Sequence, residues 1–275
     1  MFPWRIKMKL PILSTNKNKT GETQIPAQFG EQYRPDLIRR AVLALQSTAR
    51  QIYGSDQEAG LRHSSTLSKR RRNYRGSYGI GIGRVNRKIH SRRGTRFGWV
   101  GAFSPQTVGG HRSHPPKAVK IWAQKINAKE NRKAIRSAMG ATLSKELVTS
   151  RGHQIPAHYP FIIARSFESI AKTQDVEKVL LSLGFESELI RSAQKKVRAG
   201  KGKFRGRRYQ KKKGILIVVS GPCPLLQAGR NVAGVDVVSA RSLNARLLAP
   251  GALPGRVTLW TEKALEVIEK EKLFA

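Results

Sequence analysis

The chain has 275 residues, with 53 Lys and Arg against 17 Asp and Glu and a formal net charge of +36. Its single cysteine, Cys223, excludes an intrachain disulfide framework and any zinc site built on several cysteines. No stretch approaches the ~20 apolar residues of a membrane span, and Lys and Pro interrupt the apolar residues of 1–13, so neither a membrane partner nor a signal peptide is expected and the cytosol is the expected compartment.

Residues 5–13 alternate loosely and are read as an edge strand. Arg34-Pro35-Asp36 opens a helix, with Pro35 in the first turn, where its missing N–H costs nothing. Leu37, Ile38, Ala41, Val42, Leu45, Ala49 and Ile52 recur at helical spacing, and Gly54 is the expected stop. After Gly60 the pattern collapses. Residues 60–115 hold ten glycines and no apolar face of either period, and an irregular segment of that length inside a compact domain is either functional or disordered. Extended and doubled back, it reaches at most ~90 Å, at about 28 residues each way and ~3.3 Å per residue.

Order returns near Ile121. Ile135, Met139, Leu143 and Leu147 lie four apart and predict a helix over 128–150, with Gly152 after it. A βα alternation follows. The apolar run 161–164 predicts a buried strand, and Thr173 is read as the cap of a helix with Val176, Val179, Leu180 and Leu183 on its apolar face and Gly184 at its end. Strands are predicted over 215–219, 235–238 and 257–260, and helices over 225–229, 242–248 and 261–272. Short apolar strands alternating with helices imply an α/β fold: a short, mostly parallel sheet flanked by helices, interrupted by a long extended internal arm. The predicted organisation is a body of 1–58 and 117–275, an arm of 59–116, and a basic segment of 191–213 within the body.

Charge patterning singles out two parts of the chain. Residues 59–129 contain no Asp or Glu and 17 Lys and Arg; residues 189–235 contain no acid and 13 more cations. A folded surface normally mixes both signs, because like charges repel. Removing every acid over such lengths fits a partner that supplies the negative charge, and a polyphosphate backbone is the obvious one. In the arm the candidate binding residues are Lys69, Arg70, Arg71, Arg72, Arg75, Arg84, Arg87, Lys88, Arg92, Arg93, Arg96, Trp99, His111, Arg112, His114 and Lys117. In the second window they are Arg198, Lys201, Lys203, Arg205, Arg207, Arg208, Lys211, Lys212 and Lys213. Tyr74, Tyr78, Phe97, Phe103, Phe204 and Tyr209 are interleaved with them. Arginine grips phosphate through two N–H groups, and aromatic rings stack on unpaired bases.

Other motifs have ordinary readings. Gly79, Gly81 and Gly83 lack the preceding strand, following helix and downstream acid of a dinucleotide fingerprint. Cys223, in Gly221-Pro222-Cys223-Pro224, is read as a packed small residue rather than an activated thiol, and His111 and His114 lack the further ligands of a metal site. No catalytic residue is assigned and no cofactor is expected, although the reading leaves room for structural magnesium bridging chain and RNA.

Several segments resemble the archaeal and eukaryotic type of the large-subunit ribosomal protein L-four family. They are Arg34-Pro35-Asp36-Leu37-Ile38, Gly110-His111-Arg112-Ser113-His114-Pro115-Pro116-Lys117, Arg151-Gly152-His153, Arg198-Ala199-Gly200-Lys201-Gly202-Lys203 with Arg207-Arg208, Ala249-Pro250-Gly251-Ala252 and Trp260-Thr261-Glu262. The family's order is kept, and the absence of a long basic tail favours the archaeal type. The resemblance implies a structural constituent of the large ribosomal subunit. It implies a body on the solvent side, and a loop threaded into ribosomal RNA with its tip (near 84–101) at the narrowing of the peptide exit tunnel, beside ribosomal protein L-twenty-two. Residues 86–93 depart from the glycine-rich tip of eukaryotic members. The arm is expected to fold only on RNA, whose phosphates offset its repulsion and ordering entropy. The alternatives are an RNA-modifying enzyme with a doubly wound domain, for which neither cofactor loop nor catalytic acids are found, and a DNA-compacting protein, which leaves the βα body unexplained.

Overall fold

The computed structural model describes residues 8–65, 67–74, 76 and 78–275. Two compact units emerge: one of residues up to Ala49 together with Ala123–Ala275, the other of Arg50–Trp122. The elements in chain order are β1 (Lys9–Leu13), β2 (Lys19–Gln24), α1 (Pro35–Thr48), β3 (Arg87–Arg93), β4 (Arg96–Gly101), α2 (Ala128–Leu143), α3 (Lys145–Ser150), β5 (Ile162–Ile163), α4 (Thr173–Ser182), α5 (Glu186–Ala193), β6 (Lys195–Val197), β7 (Tyr209–Lys211), β8 (Leu216–Val219), α6 (Leu225–Ala228), β9 (Asp236–Ser239), α7 (Ala245–Leu248), β10 (Thr258–Thr261) and α8 (Glu262–Lys270).

The larger unit is built on a six-stranded sheet of order β2-β1-β5-β10-β8-β9. Only the β1–β2 pair is antiparallel. Strand alternation divides the core between the two faces. Ile12, Ile162, Leu216, Val218 and Trp260 join Ile38 and Val42 of α1, Ala138 and Met139 of α2, Leu248 of α7 and Ile268 of α8. Leu13, Ile163, Ile215, Ile217, Val219 and Leu259 point the other way, onto Val148 of α3, Val176 and Leu180 of α4 and Leu225 of α6. A sheet buried on both faces explains why the run 215–219 is apolar without interruption. Trp260 is 1% exposed and meets Phe29 edge-on at 4.8 Å. A Cβ at Gly140 would lie 2.8 Å from the Phe29 carbonyl oxygen, so glycine is what lets α2 approach this segment.

Several boundaries differ from those the sequence predicts. The strand near the N-terminus is not an edge: β1 lies between β2 and β5, and the polar strand β2 takes the edge. Residues 5–7 of that reading fall outside the described residues. α1 stops at Thr48 rather than running to Gly54, because the hydroxyls of Ser47 and Thr48 both donate to the Ala44 carbonyl and compete with the helical ladder. The helix predicted over 128–150 breaks at Ser144, which is extended; the Tyr159 hydroxyl donates to the Thr142 carbonyl that a continuous helix needs. Thr173 is inside α4, whose cap is Lys172, and makes no capping bond. Thr261 does cap its helix, accepting from the Ala264 N–H at 3.3 Å.

Candidate nucleic-acid interface

Unit Arg50–Trp122 contains a hairpin where no regular element was expected. β3 and β4 pair antiparallel from Arg87↔Gly101 to Arg93↔Arg96, with an irregularity between Ile89 and Ser91. Gly94, at φ 58°, carries the chain through the turn. The hairpin escapes a search for period-two apolar residues because its side chains pair cation with ring. Arg92 lies 5.8 Å from the Phe97 ring, and Phe97 meets Trp99 edge-on at 6.2 Å and Tyr74 at 6.3 Å.

Beyond the hairpin the chain folds back on itself. The His111 N–H donates to the Phe103 carbonyl at 2.8 Å, and the two rings stack at 5.9 Å. A Cβ at Gly110 would sit 2.1 Å from the Ser104 oxygen, so this turn admits only glycine. The returning chain meets its own start, where the Ser55 N–H donates to the Pro116 carbonyl at 2.9 Å.

The candidate cations of this unit are distributed along these elements. Lys69, Arg70, Arg71, Arg72 and Arg84 are exposed ahead of the hairpin, with Arg84 5.5 Å from the Tyr78 ring. Arg87 and Lys88 are half-buried on β3, Arg92 and Arg93 exposed on it, and Arg96 exposed and Trp99 half-buried on β4. Arg112, His114 and Lys117 are exposed on the returning limb, and His111 is half-buried. Arg75 lies outside the described residues. Asp56 and Glu58 are the unit's two carboxylates, and both engage Arg62.

The segment 191–213 divides. β6 and β7 form a second hairpin, with Lys195 opposite Lys211, Lys196 opposite Gln210 and Val197 opposite Tyr209. The Arg198 N–H extends the ladder to the Arg208 carbonyl at 2.8 Å. Its guanidinium donates to the Arg207 carbonyl at 3.1 Å, and Gly200 and Gly206 take positive φ at the tip. Lys201, Lys203, Arg205, Arg207, Arg208, Lys211, Lys212 and Lys213 are exposed and Arg198 half-buried, while Phe204 at the tip is 84% exposed beside Lys203. Like charges directly opposite destabilise a strand pair.

The root of this hairpin is ionic and buried. Arg191 turns inward, donating to both Glu188 oxygens and to the Lys213 carbonyl at 2.8 Å. His153 Nδ1 donates to Glu188 at 2.7 Å, and the Gln154 N–H at 3.0 Å. On the other leg, Lys213 pairs with Asp236 at 2.9 Å. Asp236 also receives Arg256, which is 1% exposed and donates to the Gly214 and Leu247 carbonyls. Lys213 therefore has a carboxylate partner, whereas among the described residues no ion pair engages the other candidate cations. The Arg151-Gly152-His153 motif has a structural basis here: Arg151 donates to the Pro250 carbonyl at 2.6 Å, Gly152 turns at φ 87°, and His153 reaches Glu188.

Burial opposes ionisation of Glu188, but hydrogen bonds from Arg191, His153 and the Gln154 N–H outweigh it and hold the carboxyl at about 2. Burial also pushes His153 below its ordinary value, against the pull of Glu188. Both groups release protons in the folded state that the unfolded chain binds. Their stabilisation is therefore whole above pH 6.5. It weakens first as His153 charges and then falls between pH ~4.5 and 2 as Glu188 protonates. Denaturation at stepped pH is expected to show this loss, and Glu188→Gln to flatten its acid portion.

Sequence reasoning missed a cleft in the smaller unit, of about 670 Å³, lined by Tyr53, Arg112, His114, Lys117, Lys120 and Trp122 among others. Tyr53 was hidden by the helix expected to run to Gly54. The available signal was an aromatic next to cations on both limbs, Arg50 near Tyr53 and Lys120 near Trp122. Cys223 is partly buried, and burial pushes its thiol up, away from activation. Among the described residues no cluster of His, Cys, Asp and Glu is arranged to hold a metal, and no helix is long and apolar enough to cross a membrane.

A mostly parallel α/β sheet and two hairpins whose exposed cations have no ion-pair partner among the described residues define a strongly basic α/β protein. The model of the ribosomal protein L4/L1 family matches residues 23–271. Large ribosomal subunit protein uL4 of Nanoarchaeum equitans is 47% identical over 97% of this chain and 100% of the relative. Those of Methanoregula boonei and Methanocaldococcus jannaschii are each 44% identical, over 95% and 96% of this chain and 99% of each relative. The chain belongs to the ribosomal protein L4/L1 family, in its archaeal type, and is a ribosomal protein rather than an enzyme.

Proposed function

We propose that this chain is a structural constituent of the cytoplasmic large ribosomal subunit that binds large-subunit ribosomal RNA and assists its assembly. The observation that carries the reading is the pair of hairpins whose exposed cations have no carboxylates among them. The smaller unit threads between RNA helices, its arginines neutralising phosphate and its rings stacking on unpaired bases. The β3–β4 turn is the part that reaches the exit tunnel constriction, beside ribosomal protein L-twenty-two. The β6–β7 hairpin is a second RNA contact, anchored at its base by the ionic root. Magnesium at this interface would be held chiefly by RNA phosphates, which are the concentrated anions there.

A photo-crosslinker at Thr95, in the β3–β4 turn, tests the tunnel placement. On ribosomes carrying a stalled nascent chain, crosslinks are expected to the nascent peptide and to L-twenty-two. Crosslinks confined to RNA remote from the tunnel would reject this placement and leave RNA binding standing.

A further inference from the structure

We propose that the cleft in unit Arg50–Trp122 captures one unpaired RNA base together with its adjoining phosphate. The inference rests on the RNA-binding reading and adds a site to it. The cleft forms because the returning chain bonds to its own start, Ser55 to Pro116, which places Tyr53 against Trp122 with ring centroids 4.9 Å apart. Its volume, about 670 Å³, falls within the ~300–1,000 Å³ of small-molecule sites.

Three features select the ligand. Tyr53 is half-exposed and offers a ring for stacking. The Trp122 Nε1–H is a buried donor with no acceptor among the described residues, and base edges carry ring nitrogens and carbonyl oxygens that accept. Arg112, Lys117 and Lys120 line the cleft without a carboxylate among its lining residues, and Arg50 and Lys120 lie 4.5 and 5.3 Å from the indole centroid. An aromatic floor, an unpaired donor and surrounding cations match a base with its phosphate. A paired base keeps its faces in the stack and cannot enter, so the site reads bulged or looped nucleotides. An acidic peptide satisfies the cations and can accept from the indole N–H, but it leaves the Tyr53 ring without a stacking partner.

The test uses the full chain and two RNAs of the same sequence context, with one 2-aminopurine either bulged or paired within a duplex. The bulged RNA is expected to bind at least about 10-fold more tightly, with its fluorescence quenched by stacking. Tyr53→Ala is expected to weaken the bulged RNA by about 5- to 100-fold and relieve the quench, leaving the paired RNA unchanged. Tyr53→Phe, which keeps the ring, is expected to preserve both, and controls for folding. Trp122→Phe, which removes the N–H together with the five-membered part of the indole, is expected to weaken the bulged RNA and leave the paired RNA unchanged. Equal affinity for the two RNAs, equal loss of both in Tyr53→Ala, or displacement of the bulged RNA by a polyglutamate peptide as readily as by unlabelled bulged RNA would overturn the base site while RNA binding stands. Failure of both RNAs to bind would overturn both readings.

Discussion

Replacing Arg198, Lys201, Lys203, Arg207 and Arg208 together with glutamine is expected to weaken binding to large-subunit ribosomal RNA by about 10²–10³-fold near physiological salt. Each cation that neutralises a phosphate releases counterions and adds about 0.7–0.9 to the log–log salt slope, so the slope is expected to become shallower by about 3.5–4.5. The five residues lie in or beside the tip of the β6–β7 hairpin, and none has a carboxylate partner among the described residues. Their removal relieves repulsion and leaves the sheet untouched, so the melting temperature is not expected to fall. Cys223→Ser, changed in parallel, is expected to leave affinity where it was. Equal effects of the two replacements, or an unchanged slope, would remove this hairpin from the interface.

Glu188→Ala acts on stability first. Glu188 is fully buried and holds Arg191 and His153, with Arg151 close by. Without it Arg191 is left as a half-buried cation without its carboxylate and His153 as a buried donor without an acceptor; breaking such a buried pair typically costs about 3–5 kcal/mol. For a body of this size that corresponds to a melting temperature lower by about 6–20 °C. The loss reaches the RNA interface as well. Arg191 also donates to the Lys213 carbonyl, so the carboxylate that orients Arg191 steadies the outgoing leg of the hairpin. Hydrogen exchange at β6 and β7 is expected to quicken in Glu188→Ala more than in Glu22→Ala, whose carboxylate is an exposed partner of Lys19. A stability change below about 1 kcal/mol would show that the cluster is not what fixes the hairpin's root.

The doubly covered sheet was legible because parallel strands buried on both faces leave continuous apolar runs, and 215–219 is the plainest of them. β2 was not, since Lys-Thr-Gly-Glu-Thr-Gln carries no apolar signal and is a strand only because β1 offers it an edge. α5 was hidden for a related reason: its buried face presents Glu188 and Ser192, polar residues made tolerable by partners far along the chain. Both hairpins depend on cross-strand register and cation–ring contacts, which no single-strand periodicity reports. The candidate interface was legible as charge, because the missing acids are a property of composition along the chain. Its anchoring was not. Nothing local distinguishes Arg191, which turns inward, from Arg198, which does not, and the Tyr53–Trp122 cleft exists only once residues far apart in the chain are brought together.

In the proposed function a structured RNA matches the chain's excess of cations, and co-sedimentation through a high-salt gradient tests that pairing most directly. Salt weakens isolated phosphate contacts, whereas an arm threaded among RNA helices leaves only if the RNA opens. The native protein is expected to travel with intact large subunits; recovery of free protein at the top of the gradient, with the subunits still intact, would contradict it.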